Sequence, residues 1–446
     1  MDRNLVHYLT DYAEPEVRAE FLTHIKTEFS FGVAVPIRGE SWSDLEHLFS
    51  SLSNITKGIN RSVLVVAVIN SSIHPTGEES FFNDALFEFF KSMGLVFEEG
   101  FCFQSISSLL HILWVDRCRY LPFQEKEGVG LARKIGCDIL CQLYANGLIV
   151  DSLLRTTDSD ASLPLDYFQA TNTSAVAHHY PYRHHIEGFD GAEALELYEI
   201  HLRNYFLMLY EAESPFAFPS IGSCLAIQAS SYAQVRGFPK RQAGEDFHLL
   251  NKLRKLGAIH YRKGEPISLR GRFSHRVPFG TGQSTTDIFR LLTQGDEYSL
   301  YNPASFVFLK QLMKASEQTL NVPSEQFAKA FQSWREYLIL QSPSGFSAGE
   351  KLLLPDLLQA AYQQRTNYRQ RIRQFYTNFD ALKTLRLIHL LDSATYPPEP
   401  WHKAHIGSGS FQSEITTDQT RKRVLQYLKE REEVHCGEDL HRKEIF

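Results

Sequence analysis

Two kinds of hydrophobic pattern alternate along the first 160 residues, and this alternation limits the fold more than any other feature. Short runs rich in β-branched residues are found at 30–36, 62–69, 109–115 and 152–157. Apolar residues at helical spacing are found between them, at 41–52, 81–90 and 128–143. Strands separated by helices of this length favour right-handed βαβ crossovers. The pattern therefore predicts an α/β fold with a mixed, mainly parallel sheet.

Three candidate site residues lie at the ends of predicted strands. Pro36, Asn70 and Asp158 each lie at or just after the carboxyl end of a run. Ligands of parallel sheets bind at these ends. We therefore expect the functional site at this edge. Farther along, glycines become rare after about residue 287, and the long amphipathic patterns at 323–340 and 353–391 predict a helical C-terminal region.

Composition excludes several classes of protein. The chain has 446 residues, 43% of them hydrophobic, and 46 − 52 gives a net charge of −6. No global positive charge is present to attract nucleic acid, and no apolar run approaches the ~20 residues of a membrane-spanning helix. The N-terminal stretch lacks the apolar core of a secretory signal, and six cysteines are too sparse for a disulfide framework. We expect a cytoplasmic protein.

Asp158 and Asp160 form a DxD pair directly after a predicted strand. Both carboxylates can point into one crevice, where hard oxygen ligands suit Mg²⁺ or Mn²⁺. The same pair can instead cap the following helix. Both interpretations are open at this point.

Glu245 and Asp246 open a predicted helix, where the helix dipole favours acids. Asp246 can also act as a general base. Farther along, the stretch 270–282 carries three arginines, among them Arg276, together with glycines that suit phosphate oxygens. His275 in this stretch can be a metal ligand or a surface residue.

A second cluster is rich in histidine, at His178, His179, His184 and His185. Imidazole is a common zinc ligand, but no cysteine lies nearby at ligand spacing. Packing is therefore the expected role of these histidines.

The order of these motifs resembles that of the family 2 glycosyltransferases, which have the GT-A fold. The resemblance covers residues 31–282 and rests on six segments, listed in chain order: Pro36 to Glu40, GVGLAR at 128–133, TTDSD at 156–160, SPFAFPSIGSCLAIQ at 214–228, GFPKRQAGED at 237–246 and HRVPFGTG at 275–282. One departure is Asn70-Ser71-Ser72, where many members have an acidic turn. This leaves the preferred nucleotide base open.

The resemblance implies roles for individual residues. Those expected around the donor nucleotide are Pro36, Arg38, Glu40, Asn70, Asp158, Arg276 and, at its diphosphate, Arg133 or Lys134. Those expected at a divalent cation, Mn²⁺ or Mg²⁺, are Asp158, Asp160 and His275. Asp246 would be the general base of an inverting enzyme, supported by Glu245.

The implied organisation is an N-terminal helical segment (1–28), a GT-A domain (29–286), a helical region (287–400) and a charged, flexible tail (401–446). The implied partners are a UDP- or GDP-linked sugar and a hydroxyl acceptor; homodimerisation and peripheral membrane contact stay open. The alternatives are a retaining glycosyltransferase, a sugar-1-phosphate nucleotidyltransferase and an inactive nucleotide-sugar-binding scaffold. The nucleotidyltransferase is disfavoured because 36–40 lacks a glycine-rich turn.

Overall fold

The computed structural model of the protein describes residues 2–169, 174–274, 280–402, 418–435 and 445. Its strands are β1 (Phe31–Ile37), β2 (Val63–Asn70), β3 (Phe101–Ser105), β4 (Leu110–Arg117), β5 (Leu153–Thr156), β6 (Ala177–His179), β7 (Tyr182–His185), β8 (Leu225–Gln228), β9 (Ile259–Tyr261), β10 (Ile267–Arg270), β11 (Ser299–Leu300) and β12 (Glu399–Pro400). Its α-helices are α1 (Arg3–Asp11), α2 (Glu20–Thr23), α3 (Trp42–Ile59), α4 (Gly77–Ser92), α5 (Val129–Ala145), α6 (Ala192–Glu211), α7 (Ala229–Gln234), α8 (Glu245–Arg254), α9 (Thr281–Thr293), α10 (Pro303–Leu320), α11 (Ser324–Gln341), α12 (Pro343–Lys351), α13 (Leu354–Gln363), α14 (Tyr368–Asn378), α15 (Ala381–Ala394) and α16 (Asp418–His435).

The chain divides into two compact units. Unit 1 comprises Met1–Phe189 and Ser220–Ser284, and unit 2 comprises Asp190–Pro219 and Thr285–Phe446. The division at 284/285 lies close to the boundary predicted at 286. Two features differ from the prediction: the N-terminal segment is part of unit 1, and residues 190–219 belong to unit 2 although they interrupt unit 1 in sequence.

Unit 1 is built on a sheet with the strand order β3-β4-β2-β1-β5-β8-β6-β9. The central strands β4, β2, β1 and β5 are parallel, β3 is antiparallel to β4, and β8 is antiparallel to β5 and β6. The residues of β2 are buried throughout, as expected for a parallel strand covered on both faces. The expected mixed, mainly parallel α/β sheet is confirmed.

Helix α5 packs closely on this sheet because small residues lie at the contact. A Cβ on Gly136 would lie 2.8 Å from the Cβ of Ala34 on β1. The close approach fixes the position of α5 on the sheet at Gly136, three residues after Arg133 on the same helix.

Unit 2 is mainly helical, which confirms the helical C-terminal region. Helix α16 packs on α6, where Arg203 of α6 pairs with Glu199 at 2.8 Å and with Glu432 of α16. Val424 and Leu428 of α16 are fully buried. Within the stretch predicted as a charged, flexible tail, residues 418–435 thus form a helix, which apolar burial and buried ion pairs hold on α6. Within the described residues, no helix is long and apolar enough to cross a membrane.

The charged side chain of Lys134, on α5, binds the N-terminal segment to this helix. Its Nζ lies 2.8 Å from Oδ2 of the fully buried Asp138 and donates to the Tyr8 hydroxyl at 2.6 Å. Asp138 also accepts from the Glu14 backbone N–H at 2.8 Å and from the Tyr232 hydroxyl at 2.8 Å. The cluster joins α1, the following turn, α5 and α7.

Replacing Lys134 with methionine is expected to destabilise unit 1 by about 3–5 kcal/mol, because it leaves the Asp138 carboxylate buried without its cation. Chemical denaturation measures the change. The matched control is Lys240→Met: Lys240 pairs with Glu14 at 2.9 Å but is half-exposed, so its loss should cost under about 1 kcal/mol. Equal effects of the two substitutions would contradict this account of the cluster.

A buried histidine on β6 makes stability depend on pH. His178 is fully buried, and among the residues that the structure describes neither ring nitrogen has a hydrogen-bond partner. Burial lowers its pKa to about 4, and the nearby positive or ionisable groups His260, Arg155 and Arg262 act in the same direction. Between pH 6.5 and about pH 4, the His178 ring is therefore neutral in the folded chain but takes up a proton in the unfolded chain. The free energy of unfolding is therefore unaffected by this residue at neutral pH and falls as the pH decreases from 6.5 toward 4, because protonation favours the unfolded chain.

Replacing His178 with leucine should remove this loss. The fall in unfolding free energy between pH 7 and pH 5 should be smaller than in the wild type by roughly 2 kcal/mol. Denaturant titrations at the two pH values measure the difference. The control is His74→Leu, since His74 is exposed. An identical pH dependence in His178→Leu and wild type would show that protonation of His178 does not matter to stability.

Candidate active site

The carboxyl ends of the parallel strands place several of the predicted site residues at one edge of the sheet. Pro36 lies inside β1, buried and aligned with Val68 of β2, and Glu40 follows three residues after β1 ends. Asn70 is the last residue of β2. Asp158 follows two residues after β5. Unit 1 therefore brings residues from three strand ends to the edge where a ligand of such a sheet binds.

Glu40 is held by arginines and is not an isolated carboxylate. It is 3% exposed, and it accepts a hydrogen bond from the Arg38 backbone N–H. Its Oε1 lies 3.3 Å from Nη2 of Arg272. The Arg38 guanidinium pairs with Glu79 of α4 at 3.0 Å. The Pro36 to Glu40 turn is thus fixed by ion pairs at both of its charged side chains.

Asn70 ties two strand ends together. Its Nδ2 donates to the Ile37 carbonyl at 2.8 Å and to the Val68 carbonyl at 3.3 Å, and its side chain is buried. The amide donors expected to bond a nucleotide base are therefore engaged with the backbone of β1 and β2.

Arg133 connects the two acidic motifs. It lies in the second turn of α5 and is 6% exposed. Its Nη2 donates to Oδ1 of Asp158 at 2.6 Å, and its Nη1 donates to Glu245. Burial would favour loss of its proton, but the charges of Asp158 and Glu245 outweigh this and raise its pKa. Arg133 is a permanent cation between these carboxylates.

A glycine is required beside Arg133. A Cβ on Gly222 would lie 2.2 Å from Nη1 of Arg133. The Gly222 backbone also lies close enough to the Asp246 carboxylate to lower its pKa, against the larger raising effect of burial. The short turn at Gly222–Cys224, which precedes β8, thus contributes to the site from the segment at 214–228.

Glu245 and Asp246 occupy the first turn of α8, as predicted. The preceding Gly244 is left-handed, with φ +69°, and provides no side-chain cap. Glu245 is buried and Asp246 is half-buried; Oδ1 of Asp246 accepts from the Phe247 backbone N–H at 2.7 Å. Burial raises the pKa of both acids against the lowering effect of Arg133. A carboxyl group with a raised pKa is a stronger base once ionised.

The DxD pair lies beside these acids. The Asp158 side chain is 36% exposed although one oxygen is held by Arg133. The Asp160 side chain is 8% exposed, and its Oδ2 lies 3.1 Å from Nη1 of Arg272. Within the described residues, no group of three or more His, Cys, Asp or Glu side chains converges as a metal site. The histidine cluster at 178–185 therefore shows no zinc site there.

Three predicted residues are not brought to this site by the described structure. Lys134, adjacent to Arg133 in sequence, is committed to Asp138 and Tyr8 in the separate cluster described above. Its predicted place at a diphosphate is therefore not supported. His275 and Arg276 lie outside the described residues.

Arg272 and Gly222 are site residues to which sequence reasoning assigned no role, although both lie in segments that it singled out. The arginine-rich stretch at 270–282 was a signal for Arg272, but spacing could not choose among its arginines. Arg270, two residues earlier, pairs instead with Asp44 of α3.

No family model matches the chain, and no curated protein matches its sequence. Among solved structures, S. aureus TarS 1–349 in complex with UDP-GlcNAc is similar at 11% identity and a TM-score of 0.33, over 78% of this chain and 91% of that chain. The mannosyltransferase PcManGT from Pyrobaculum calidifontis, in complex with GDP-Man and Mn²⁺, is similar at 13% identity and a TM-score of 0.31, over 87% of this chain and 96% of that chain. Likeness of this degree assigns neither activity nor ligand to the present chain.

Proposed function

We propose that the protein is a GT-A-type glycosyltransferase that moves a sugar from a nucleoside-diphosphate sugar to a hydroxyl acceptor. One observation carries the proposal: Arg133 joins Asp158, which follows β5, to Glu245 at the start of α8. Two acidic motifs that are far apart in sequence therefore belong to a single polar site at the edge where parallel sheets bind ligands.

The leaving group of the proposed reaction is a nucleoside diphosphate, and negative charge develops on its phosphate oxygens as the bond to the sugar breaks. Arg133 is fixed by burial, and Arg272 is a second guanidinium nearby on Asp160. Fixed cations stabilise developing charge without reorganising during the reaction. We assign both arginines to the diphosphate side of the site.

The carboxylates of this site fit a divalent cation. Mg²⁺ and similar ions are commonly held by one or two carboxylates and completed by substrate phosphates. We assign Asp158 and Asp160 as two such ligands, because no larger group of possible ligand side chains converges in the described part of the chain. When bound, Mn²⁺ or Mg²⁺ would neutralise charge on the diphosphate.

Asp246 is proposed as the general base that takes the proton from the attacking hydroxyl. Its half-buried carboxylate is oriented by the Phe247 N–H, from which Oδ1 accepts at 2.7 Å. Glu245 is bound to Arg133 and therefore acts as a positioning residue. Base catalysis by Asp246 corresponds to transfer with inversion.

Release of nucleoside diphosphate from a panel of UDP- and GDP-sugars, with Mn²⁺ and mixed hydroxyl acceptors, tests the proposal. We expect release from one donor class, dependent on the metal. A folded protein that binds a nucleotide but releases nucleoside diphosphate from no donor would contradict the enzymatic proposal and favour a binding scaffold.

A further inference from the structure

Arg272 forms a bridge between two carboxylates that come from different strand ends. It lies two residues after β10, and its two terminal nitrogens contact different acids: Nη2 lies 3.3 Å from Oε1 of Glu40, and Nη1 lies 3.1 Å from Oδ2 of Asp160. The two acids are almost fully buried, with side chains 4% and 8% exposed. Arg272 therefore neutralises carboxylates that water reaches poorly.

Arg272 differs from Arg133 in its freedom to move. The Arg272 side chain is 34% exposed, whereas that of Arg133 is 7% exposed and is enclosed by the Gly222 backbone. A partly exposed arginine on a long stem can exchange one anion for another at small cost. Arg133 is the fixed cation of the site, and Arg272 is the exchangeable one.

A guanidinium and a divalent cation compete for Asp160. Both need the negative charge of the same small carboxylate, and they repel each other when they lie within a few ångströms. A diphosphate changes this balance, because its oxygens accept the planar guanidinium fork as well as a carboxylate does.

We propose that Arg272 occupies Asp160 until donor and metal arrive together, and that it then transfers to the donor diphosphate while Asp160 becomes a metal ligand. The inference rests on the proposed function and adds to it an order of binding. Metal alone must displace Arg272 from Asp160 without offering the arginine a new anion, so it binds weakly. A nucleoside diphosphate that arrives with the metal supplies that anion, so the two bind tightly together.

The test compares wild type with Arg272→Gln in two equilibrium measurements. Free Mn²⁺ is counted by electron paramagnetic resonance to obtain the affinity for Mn²⁺ alone, and calorimetry gives the affinities for UDP and GDP with Mn²⁺ present. In Arg272→Gln we expect Mn²⁺ alone to bind about 10-fold more tightly, and the nucleotide with Mn²⁺ about 10-fold more weakly, as expected from loss of a hydrogen bond to a charged group.

Arg270→Gln is the matched control. Arg270 is the last residue of β10, the strand that Arg272 follows. It pairs with Asp44, and its side chain is 55% exposed. Its replacement should change neither affinity. Arg272→Lys keeps the charge but loses the fork, so it should keep weak binding of Mn²⁺ alone while binding the nucleotide less tightly than wild type. This second variant keeps the test decisive if Arg272→Gln is poorly folded.

The outcomes separate the two proposals. Wild type that binds no nucleotide with Mn²⁺ overturns the proposed function. If the wild type binds nucleotide with Mn²⁺, but the affinity of Arg272→Gln for Mn²⁺ alone is unchanged or lower, only the proposed exchange of Arg272 is overturned. The exchange is also overturned if Arg272→Gln binds Mn²⁺ alone more tightly but binds the nucleotide with unchanged affinity, because Arg272 would then not contact the diphosphate.

Discussion

Replacing Asp246 with asparagine should lower the rate of sugar transfer about 100- to 10 000-fold, the range that a positioned general base contributes. The amide retains the size of the carboxylate and can still accept from the Phe247 N–H, so the start of α8 should stay intact. Donor binding should change little, because the diphosphate contacts are assigned to other residues. Initial rates of nucleoside diphosphate release at saturating donor, with affinity measured separately, give both quantities.

Glu78→Gln is the control for this substitution. Glu78 is also an acid in the first turn of a helix, α4, but it is exposed. Loss of its charge alters a helix terminus without altering the proposed base, so the rate should be unchanged. A rate in Asp246→Asn within about 10-fold of wild type would rule out Asp246 as the base and favour a retaining enzyme.

The second large effect is expected for Asp160→Asn. Affinity for the nucleoside diphosphate in the presence of Mn²⁺ should fall more than about 100-fold, since even outer partners of metal ligands contribute 10- to 100-fold. Affinity without metal should change far less, because Arg272, freed from Asp160, is still present for the diphosphate. Calorimetric titrations with and without Mn²⁺ make the comparison.

Asp84→Asn serves as the matched control, because Asp84 is an exposed aspartate of α4. It should leave both titrations unchanged. If Asp160→Asn lowers affinity equally with and without Mn²⁺, Asp160 contacts the nucleotide directly, and its assignment as a metal ligand is wrong.

The sheet was predictable because its strands are short, apolar and separated by periodic helices. The run at 30–36 became β1 at Phe31–Ile37, and the helix predicted at 128–143 became α5 at Val129–Ala145. The pattern at 353–391 was harder to divide. It forms α13, α14 and α15, and the side chains of Asn367 and Asp380 cap the last two. Capping residues inside a periodic pattern mark these breaks more reliably than the period does.

The choice between Arg133 and Lys134 could not be made from sequence. Neighbours on a helix point about 100° apart, so one of them had to face away from Asp158. Lys134 is held by Asp138, which lies one helical turn later on α5, and by Tyr8 of the N-terminal segment. Nothing in the local motif signals that this segment packs on α5.

Arg272 shows a second limit of the sequence. Its partners, Glu40 and Asp160, follow different strands, and only the paired registers of β1 and β5 bring those strand ends to one edge. Composition indicated an arginine-rich stretch near the site, but the identity of the bridging arginine depends on where β10 ends.

The central claim is that the strand-end acids and arginines form a site for a nucleoside diphosphate with a divalent cation. Thermal unfolding with UDP, GDP, ADP or CMP, each with and without Mn²⁺, tests this claim most directly, because a ligand that binds only the folded chain raises its stability. We predict a rise in melting temperature with UDP or GDP that requires Mn²⁺ and is lost in Asp160→Asn. Folded protein whose melting temperature no nucleotide raises, with or without metal, would contradict the account.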